Sequence, residues 1–333
     1  MRFIMLFTAF ILMVLIAVQF AGDAHPPRPF ENSIVHIVCA NDSREIIGSA
    51  IDEAIRRAEE DLGCAVDVVY TNWESDAELF QLRQLIPLLP GGVIVMGYPA
   101  NETLRPALEE AVDQEVAVTT FNTPIASLQN QYAPFGLGYA GIDAYAAGRD
   151  LAAAAVKKHA LGGGARVMLL GDVNHPAREP FVRGVTEVFS GAGLEIEHLV
   201  ASTHDLQYAP EVTRAELRKR RARGDLPDLI CFTEIPIHMA SDLLLDSGVR
   251  AGEIPLIGLG AEMRLNRRGD QYVSLQIGQD LALQVYLAII QASLYTTYRY
   301  PGLVVYTPYE ILGGQVGIDP LFESPGQRFV VLE

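Results

Sequence analysis

Short apolar, β-branched runs alternate with amphipathic helical patterns along most of this chain, and that alternation limits its fold more than any other feature. A run that is apolar throughout is typical of a strand covered by helices on both faces. A regular strand–helix–strand order predicts parallel sheets with right-handed crossovers. The predicted strands are residues 34–39, 66–70, 93–96, 116–121, 167–170, 196–201, 229–232, 254–259 and 272–277. They are enough for two sheets, so we expect two α/β lobes.

The intervening helices have recognisable ends. Ser75 and Glu78 fit a capping box, in which a helix-starting hydroxyl and a glutamate three residues later satisfy each other's backbone N–H groups. Asn101 and Asp143 are suited to the N-cap position of two further helices. Gly148 removes a side chain inside the helix that follows Asp143, which predicts close packing against a neighbouring helix. Apolar stripes predict two more helices, one through residues 47–62 and one through 181–189.

Composition excludes several classes of function. The chain has 333 residues, of which 50% are hydrophobic, so it can bury a core divided between two domains. Its formal net charge of -16 argues against binding to nucleic acid or to an anionic membrane surface. The basic run at residues 214–223 is interpreted as a solvated helix C-terminus, where cations complement the helix dipole.

The N-terminus has the pattern of a secretory signal. Arg2 precedes an uncharged apolar run at residues 3–20, and small residues near Ala24 provide a cleavage site. Residues 1–24 are therefore predicted to be a signal peptide, with an uncleaved membrane anchor as the alternative because the apolar run is long. Either outcome places the remaining chain outside the cytoplasmic membrane, and we expect it in the periplasm. No cysteine lies near the cleavage region, which argues against a lipoprotein.

Motifs for catalysis or cofactor binding are missing from the sequence. The glycines at 162–164 precede a predicted strand and lack the Lys-Ser/Thr of a phosphate-binding loop. Glu234 and His238 have helical spacing, but two ligands make a poor metal site. Cys39, Cys64 and Cys231 have no metal-binding spacing, and Cys39 and Cys231 fit buried strands. The sequence predicts no enzyme, no cofactor and no metal site.

Several segments together resemble a known family. The segments are VAVTTFN at 116–122, GIDAYAAG at 141–148, RVMLLGD at 166–172, HPAREPFVRGV at 175–185, DLICFTE at 228–234, IPLIGLG at 254–260 and SLQIGQD at 274–280. Their order and spacing resemble the periplasmic sugar-binding proteins of ABC transporters, of the ribose- and galactose-binding type, which share a LacI-like ligand-binding fold. Repressors of that fold have a helix-turn-helix, and we expect none here.

The resemblance implies the type I periplasmic binding protein fold, an α/β fold with two Rossmann-like lobes. Each lobe has a parallel sheet, and three strands form the hinge between them. The expected N-terminal lobe contains residues 33–142 and 280–307, and the expected C-terminal lobe contains 143–279 and 308–333.

The resemblance also implies three principal ligand-binding residues. Asn122 stands at a strand end where the family places an acid or an amide, and its alternative role is to form a turn. Gln279 matches the family's glutamine before the second crossing, and its alternative role is a hinge hydrogen bond to backbone. Arg178 matches the family's arginine, although the spacing to Gly184 is one residue longer than in the ribose type. Arg183 is the rival for that role, and a surface ion pair is the alternative for both arginines.

Other family positions match only in part. Glu234 stands where the family has an Asn-Asp pair, and His204 stands where an aromatic ring is frequent, with an exposed loop histidine as the alternative. Asn41 and Asp42 replace phenylalanines that sandwich the sugar ring, and Asp42 is also suited to cap its helix. Tyr98, after a strand end, is a candidate replacement for the missing rings.

A carboxylate expected after the strand at 254–259 is absent as well, with Glu262 as a weak substitute, while Trp73 is assigned to packing or the rim. The pocket is therefore expected to be polar, with an incomplete clamp for a simple monosaccharide. The implied function is capture of a small polar ligand, a sugar or sugar-like molecule, for an ABC permease in the inner membrane. The alternative is a sensory subunit that acts on the periplasmic domain of a histidine kinase or on a chemoreceptor.

Overall fold

The computed structural model describes residues 30, 33–40, 46–71, 75–96, 101–171, 178–199, 210–233, 243–260 and 272–313. Two six-stranded sheets form its framework, and helices cover them. The strands are β1 Ile34–Cys39, β2 Ala65–Tyr70, β3 Gly92–Val95, β4 Val118–Phe121, β5 Gly138–Gly141, β6 Arg166–Leu170, β7 Glu195–Leu199, β8 Leu229–Phe232, β9 Leu256–Leu259, β10 Val273–Gln279, β11 Val304–Tyr306 and β12 Tyr309–Gly313. The helices are α1 Ile46–Leu62, α2 Ser75–Leu85, α3 Asn101–Asp113, α4 Ala126–Tyr132, α5 Ala144–Lys158, α6 Glu179–Gly191, α7 Pro210–Arg223 and α8 Leu281–Tyr298.

The first sheet has the order β11-β5-β4-β3-β1-β2, and every neighbouring pair is parallel. Its central strands are buried throughout, as the apolar runs predict. One core cluster packs α1 and α8 against one face, and a second packs α2, α3 and α4 against the other.

The second sheet has the order β12-β10-β9-β8-β6-β7 and is parallel except for the β10–β12 pair, which is antiparallel. Helices α5 and α6 cover one of its faces and share a core cluster with it. Leu217 of α7 packs in the cluster on the other face. The basic run of residues 214–223 falls on the last turns of α7, where Arg220 and Arg221 pair with acidic side chains, as expected for a solvated helix.

The chain passes between the sheets three times. After β5 of the first sheet, Ile142 and Asp143 lead into α5 of the second layer. After β10 of the second sheet, Asp280 leads into α8, which packs on β3, β4 and β5 of the first. The third passage joins β11 to β12 through residues 307 and 308. The two helix starts are alike, since Asp143 and Asp280 both cap their helices through backbone N–H groups at 3.0 and 2.9 Å.

Helices α5 and α6 pack closely against each other, and two glycines permit the close approach. A Cβ at Gly148 would clash with the carbonyl oxygen of Phe181, and one at Gly184 would clash with that of Tyr145. The prediction of close packing at Gly148 is confirmed.

The side chain of Ser75 lies outside the described residues, so the capping box predicted for Ser75 and Glu78 stays a prediction. Glu78 lies on the face of α2 that packs against β1, with only 1% of the residue exposed, and its Oε1 atom has no hydrogen-bond partner among the described residues. The glutamate therefore extends the buried stripe of the helix.

Three strands were not predicted as strands, namely β5, β11 and β12. Within the described part of the chain, no helix is both long and apolar enough to cross a membrane. The predicted signal peptide at residues 1–24 lies outside the described residues.

Candidate functional site

Asn122 follows β4 directly, at the carboxyl end of the first sheet, where open α/β sheets bind ligands. Its backbone is left-handed, with φ of +62°, a conformation that asparagine tolerates better than most residues. Its backbone N–H donates to the carbonyl of Ala140, and its own carbonyl accepts from the hydroxyl of Tyr139 at 3.2 Å. The backbone geometry fits the turn-forming role and at the same time holds the side-chain amide at the strand end.

Gln279 is the last residue of β10, at the second passage between the sheets. Its Oε1 atom accepts from Nδ2 of Asn122 at 3.2 Å, so the structure brings two of the predicted ligand residues together across 157 positions of sequence. Its Nε2 donates to the carbonyl of Gly260 at 3.1 Å. The hinge hydrogen bond to backbone that was the alternative role for Gln279 is thus present, and 7% of the residue remains exposed.

Arg178 occupies the N-cap position of α6 and is partly buried, although it makes no side-chain cap of that helix. Arg183, its rival, has a 58% exposed side chain and pairs with Glu179 one turn earlier at 2.9 Å. The guanidinium of Arg183 also lies 5.1 Å from the ring centre of Tyr145 on the outer face of α5. Arg183 therefore has the surface ion pair that was the alternative for both arginines.

The other predicted site residues lie outside the described residues. They are Asn41, Asp42, Tyr98, His204 and Glu234, together with the weaker candidates Trp73 and Glu262. All stay predictions.

The structure adds polar residues that sequence reasoning missed. Gln284 is fully buried in the second turn of α8, and its Nε2 lies 3.3 Å from Oε1 of Gln279. The hydroxyl of Tyr139 lies 3.2 Å from the carbonyl of Asn122 and 3.1 Å from that of Ile142, beside the first passage. Burial raises the pKa of Tyr139, so its hydroxyl stays protonated and donates. An amide one turn into an apolar helix was the only sequence signal for Gln284.

The described side chains offer no arrangement for covalent or metal chemistry. Among them, no three His, Cys, Asp or Glu residues lie close enough together to hold a metal ion. The thiols of Cys39, Cys64 and Cys231 are buried and unpaired, and burial raises the pKa of each. A raised pKa keeps a thiol protonated and unreactive. What the site offers is hydrogen bonding by amides.

Solved structures with the same fold are numerous. A glucose-galactose binding protein from Geobacillus stearothermophilus superposes with a TM-score of 0.71 at 14% identity, over 85% of this chain and 98% of that one. A solute-binding protein of an ABC transporter from Agrobacterium vitis, bound to α-D-tagatopyranose, superposes with a TM-score of 0.71 at 14% identity, over 91% of this chain and 100% of that one. A carbohydrate transporter from Acidothermus cellulolyticus, in complex with myo-inositol, superposes with a TM-score of 0.63 at 16% identity, over 85% of this chain and 94% of that one. At these identities the similarity shows the fold, and it confirms the predicted type I periplasmic binding protein architecture.

The sequence comparisons assign the family. No curated protein matches the chain significantly in sequence. The sequence profile described as "Periplasmic binding protein domain" matches residues 35–295, which is most of the chain. The chain therefore belongs to the periplasmic binding protein family, whose members bind solutes and are not enzymes.

Proposed function

We propose that this protein captures a small polar ligand, a sugar or a sugar-like molecule, between its two lobes and delivers it to an ABC permease. The observation that supports this most directly is the Asn122–Gln279 pair. The two side-chain amides belong to residues at strand ends of different sheets. They meet at the carboxyl ends of those strands, where each retains hydrogen-bonding capacity. Such groups suit a hydroxylated ligand, which needs donors and acceptors in pairs.

The proposed lobes are those expected from the sequence, residues 33–142 with 280–307 and residues 143–279 with 308–333. The ligand has its highest affinity for the conformation in which both lobes contact it, so ligand binding would favour that conformation. The three passages are the places where the lobes rotate relative to each other. We place the mature protein in the periplasm, in keeping with its family and with the signal pattern at residues 1–24.

The proposed ligand contacts comprise Asn122, Gln279 and Arg178, with Asn41, Asp42, Tyr98, His204 and Glu234 contributed by the surrounding loops. The ligands named for structures of this fold, glucose and galactose, tagatose and myo-inositol, are all neutral and polyhydroxylated. They define the first compounds to test.

A thermal-shift and calorimetry screen of the mature protein tests the proposal. Aldoses, ketoses, polyols, inositols and sugar acids form the panel, since a ligand that binds only the folded state raises the melting temperature by mass action. Asn122→Ala and Gln279→Ala should weaken binding of any hit by about tenfold or more, the effect of one lost hydrogen bond in a dry site.

Arg183→Ala is the matched control, because Arg183 is engaged with Glu179 on the surface. If the hit bound both amide variants as tightly as the wild type, the proposed site would be wrong. A panel without any hit would contradict the sugar-like ligand class.

A further inference from the structure

Most of the exposed apolar side chains in the described part of the chain lie at one edge of the first sheet. Ten large hydrophobic side chains of the described residues are exposed, and seven of them either begin β1 or come before β3, β5 and β11. We call the surface that they form the amino pole, and its residues are Ile34, Leu88, Leu89, Phe135, Tyr298, Tyr300 and Leu303. The candidate ligand site stands at the carboxyl edge of the same sheet, so the amino pole lies at the opposite end of the lobe. An apolar patch of this kind marks a surface that contacts another molecule.

The parts of the amino pole are joined to one another. Tyr298 packs edge to face with Phe30 and with Tyr300, at 6.5 Å between ring centres in both pairs. The hydroxyl of Thr296 donates to the carbonyl of Gly91, which ties the end of α8 to the segment before β3. A backbone hydrogen bond of 2.7 Å joins the segment before β11 to the turn before β5. The exposed side chains therefore belong to one continuous surface.

The charge within the aromatic row of the amino pole is neutralised. Arg299 stands between the two exposed tyrosines in sequence, and its guanidinium pairs with the carboxylate of Glu115 at 2.7 Å. Tyrosine is enriched at the interface between water and hydrocarbon in a bilayer, because its ring is apolar and its hydroxyl is polar. The net charge of -16 excludes attraction to anionic lipid as the cause of binding, so contact with lipid here would depend on burial of apolar surface.

The N-terminal part of the chain enters the fold at the amino pole. Phe30 is buried there, with its backbone N–H donating to the carbonyl of Leu62 at 3.3 Å and its ring against Tyr298. The apolar run at residues 3–20 ends nine residues before Phe30. As a helix, that run would be about 27 Å long, close to the thickness of a bilayer core. Nine extended residues reach at most about 30 Å, so a run inserted in the membrane would keep the amino pole near its surface.

We propose that the chain keeps residues 1–24 as a membrane anchor and that the amino pole rests on the periplasmic surface of the cytoplasmic membrane, with its tyrosines and leucines in the lipid interface. Two independent observations support the proposal, since the exposed patch comes from the fold and the tether comes from the sequence. The proposal does not depend on which ligand is bound. For delivery to a permease, the pole would leave the lipid while the anchor keeps the protein at the membrane.

Expression of the full chain in a bacterial host tests the anchor. The protein should sediment with the cytoplasmic membrane and stay there after a high-salt wash, because apolar contacts are not screened by salt. Its intact mass should include residues 1–24. A protein that is released by osmotic shock and whose mass corresponds to a chain beginning at His25 would overturn the proposal and leave the proposed function intact.

Fluorescence quenching by lipid tests the contact of the amino pole itself. The full chain is placed in phosphatidylcholine vesicles that contain a lipid with a quencher near the headgroup. Tyr300→Cys carries the fluorophore, and labelling is selective because Cys39, Cys64 and Cys231 are buried. Leu245→Cys, at an exposed leucine outside the amino pole, is the matched control. The label at position 300 should be quenched several-fold more strongly than the label at position 245, and equal quenching would overturn the proposal.

A second pair of variants separates lipid contact from mere tethering. Tyr298→Ser with Leu88→Ser, added to the labelled Tyr300→Cys chain, keeps the anchor and removes two exposed apolar groups of the amino pole. Quenching should then fall towards the level at position 245, whereas Val212→Ser, at an exposed valine of α7, should leave it unchanged. Unchanged quenching in the first variant would overturn the lipid contact. Weak quenching of the Tyr300→Cys label, with disulfide pairing of two chains through position 300 before labelling, would assign the surface to a second copy and overturn it too.

Discussion

Glu78 provides the sharpest test of the packing in the first lobe. Its side chain is buried on the face of α2 that packs against β1, and its Oε1 atom has no partner among the described residues. Desolvation raises the pKa of this carboxyl from 4.5 to about 8, so the acid is protonated at neutral pH in the folded protein. We predict that Glu78→Gln, which keeps the shape and removes the ionisation, stabilises the protein at neutral and alkaline pH.

The magnitude follows from the two pKa values. Because the pKa of Glu78 is raised in the folded state, the unfolded chain releases this proton at a lower pH than the folded protein does. The free energy of unfolding is therefore highest below pH 4.5 and falls as the pH rises towards 8. At 1.36 kcal/mol per pH unit, the full loss is about 5 kcal/mol above pH 8 and about 3 kcal/mol at pH 7. Glu78→Gln has no such loss, so its free energy of unfolding should exceed that of the wild type by an amount that increases over this window.

Urea unfolding at a series of pH values from 5 to 9, followed by far-UV circular dichroism, measures the difference. At each pH, the free energy of unfolding of the variant is subtracted from that of the wild type. The subtraction removes the pH dependence that every other titrating group contributes to both proteins. Glu53→Gln is the matched control, because Glu53 is an exposed glutamate on α1. Its stability should follow that of the wild type at every pH.

A difference between wild type and Glu78→Gln that stays constant from pH 5 to 9 would refute the reasoning. It would mean that the carboxyl ionises in the folded state as readily as in the unfolded chain. That result is incompatible with a buried carboxyl whose Oε1 atom has no hydrogen-bond partner among the described residues.

Three further substitutions test the site and the helix contact by chemical unfolding. Asn122→Ala should be about 1 kcal/mol less stable than Asn122→Gly, since only the glycine adopts φ of +62° without strain, and equal stability would contradict the left-handed backbone. Gly184→Ala should destabilise by about 1–3 kcal/mol because its Cβ meets backbone of α5, whereas Gly162→Ala, with open space around it, should have little effect. Tyr139→Phe should cost about 1–2 kcal/mol by removing the one hydroxyl that the carbonyls of Asn122 and Ile142 share as a donor. Tyr306→Phe, on the ring that contacts Tyr139 edge to face, is the control whose equal loss would assign the effect to packing.

The sequence predicted the regular part of the fold well because the signals there are local. β1 and β8 have the predicted bounds, and Asp143 caps its helix as expected. β5 escaped prediction because its sequence, GYAG, begins and ends with glycine, which is depleted in strands. It forms a strand because neighbours on both sides supply its hydrogen bonds and because Gln291 of α8 packs where a side chain at Gly138 would stand.

The site could be predicted only in part. The family resemblance selected Asn122 and Gln279 one at a time, but their mutual hydrogen bond depends on how a strand of one sheet ends beside a strand of the other. Glu78 shows a second limit, because Ser-x-x-Glu before an apolar stripe is the pattern of a capping box and does not predict that tertiary packing buries the glutamate in the core. No local pattern distinguishes an exposed glutamate at a helix start from a buried one.

The shortness of the three passages has a mechanical consequence. Helix α5 is capped two residues after β5 ends, and α8 is capped by the single residue after β10. The third passage contains Pro308, whose ring fixes φ. Any rotation between the sheets must therefore be concentrated in the dihedral angles of five residues, which leaves few degrees of freedom and one preferred axis. Under the proposed function, ligands of different size should then change how often the two lobes close, while the path of closure stays the same.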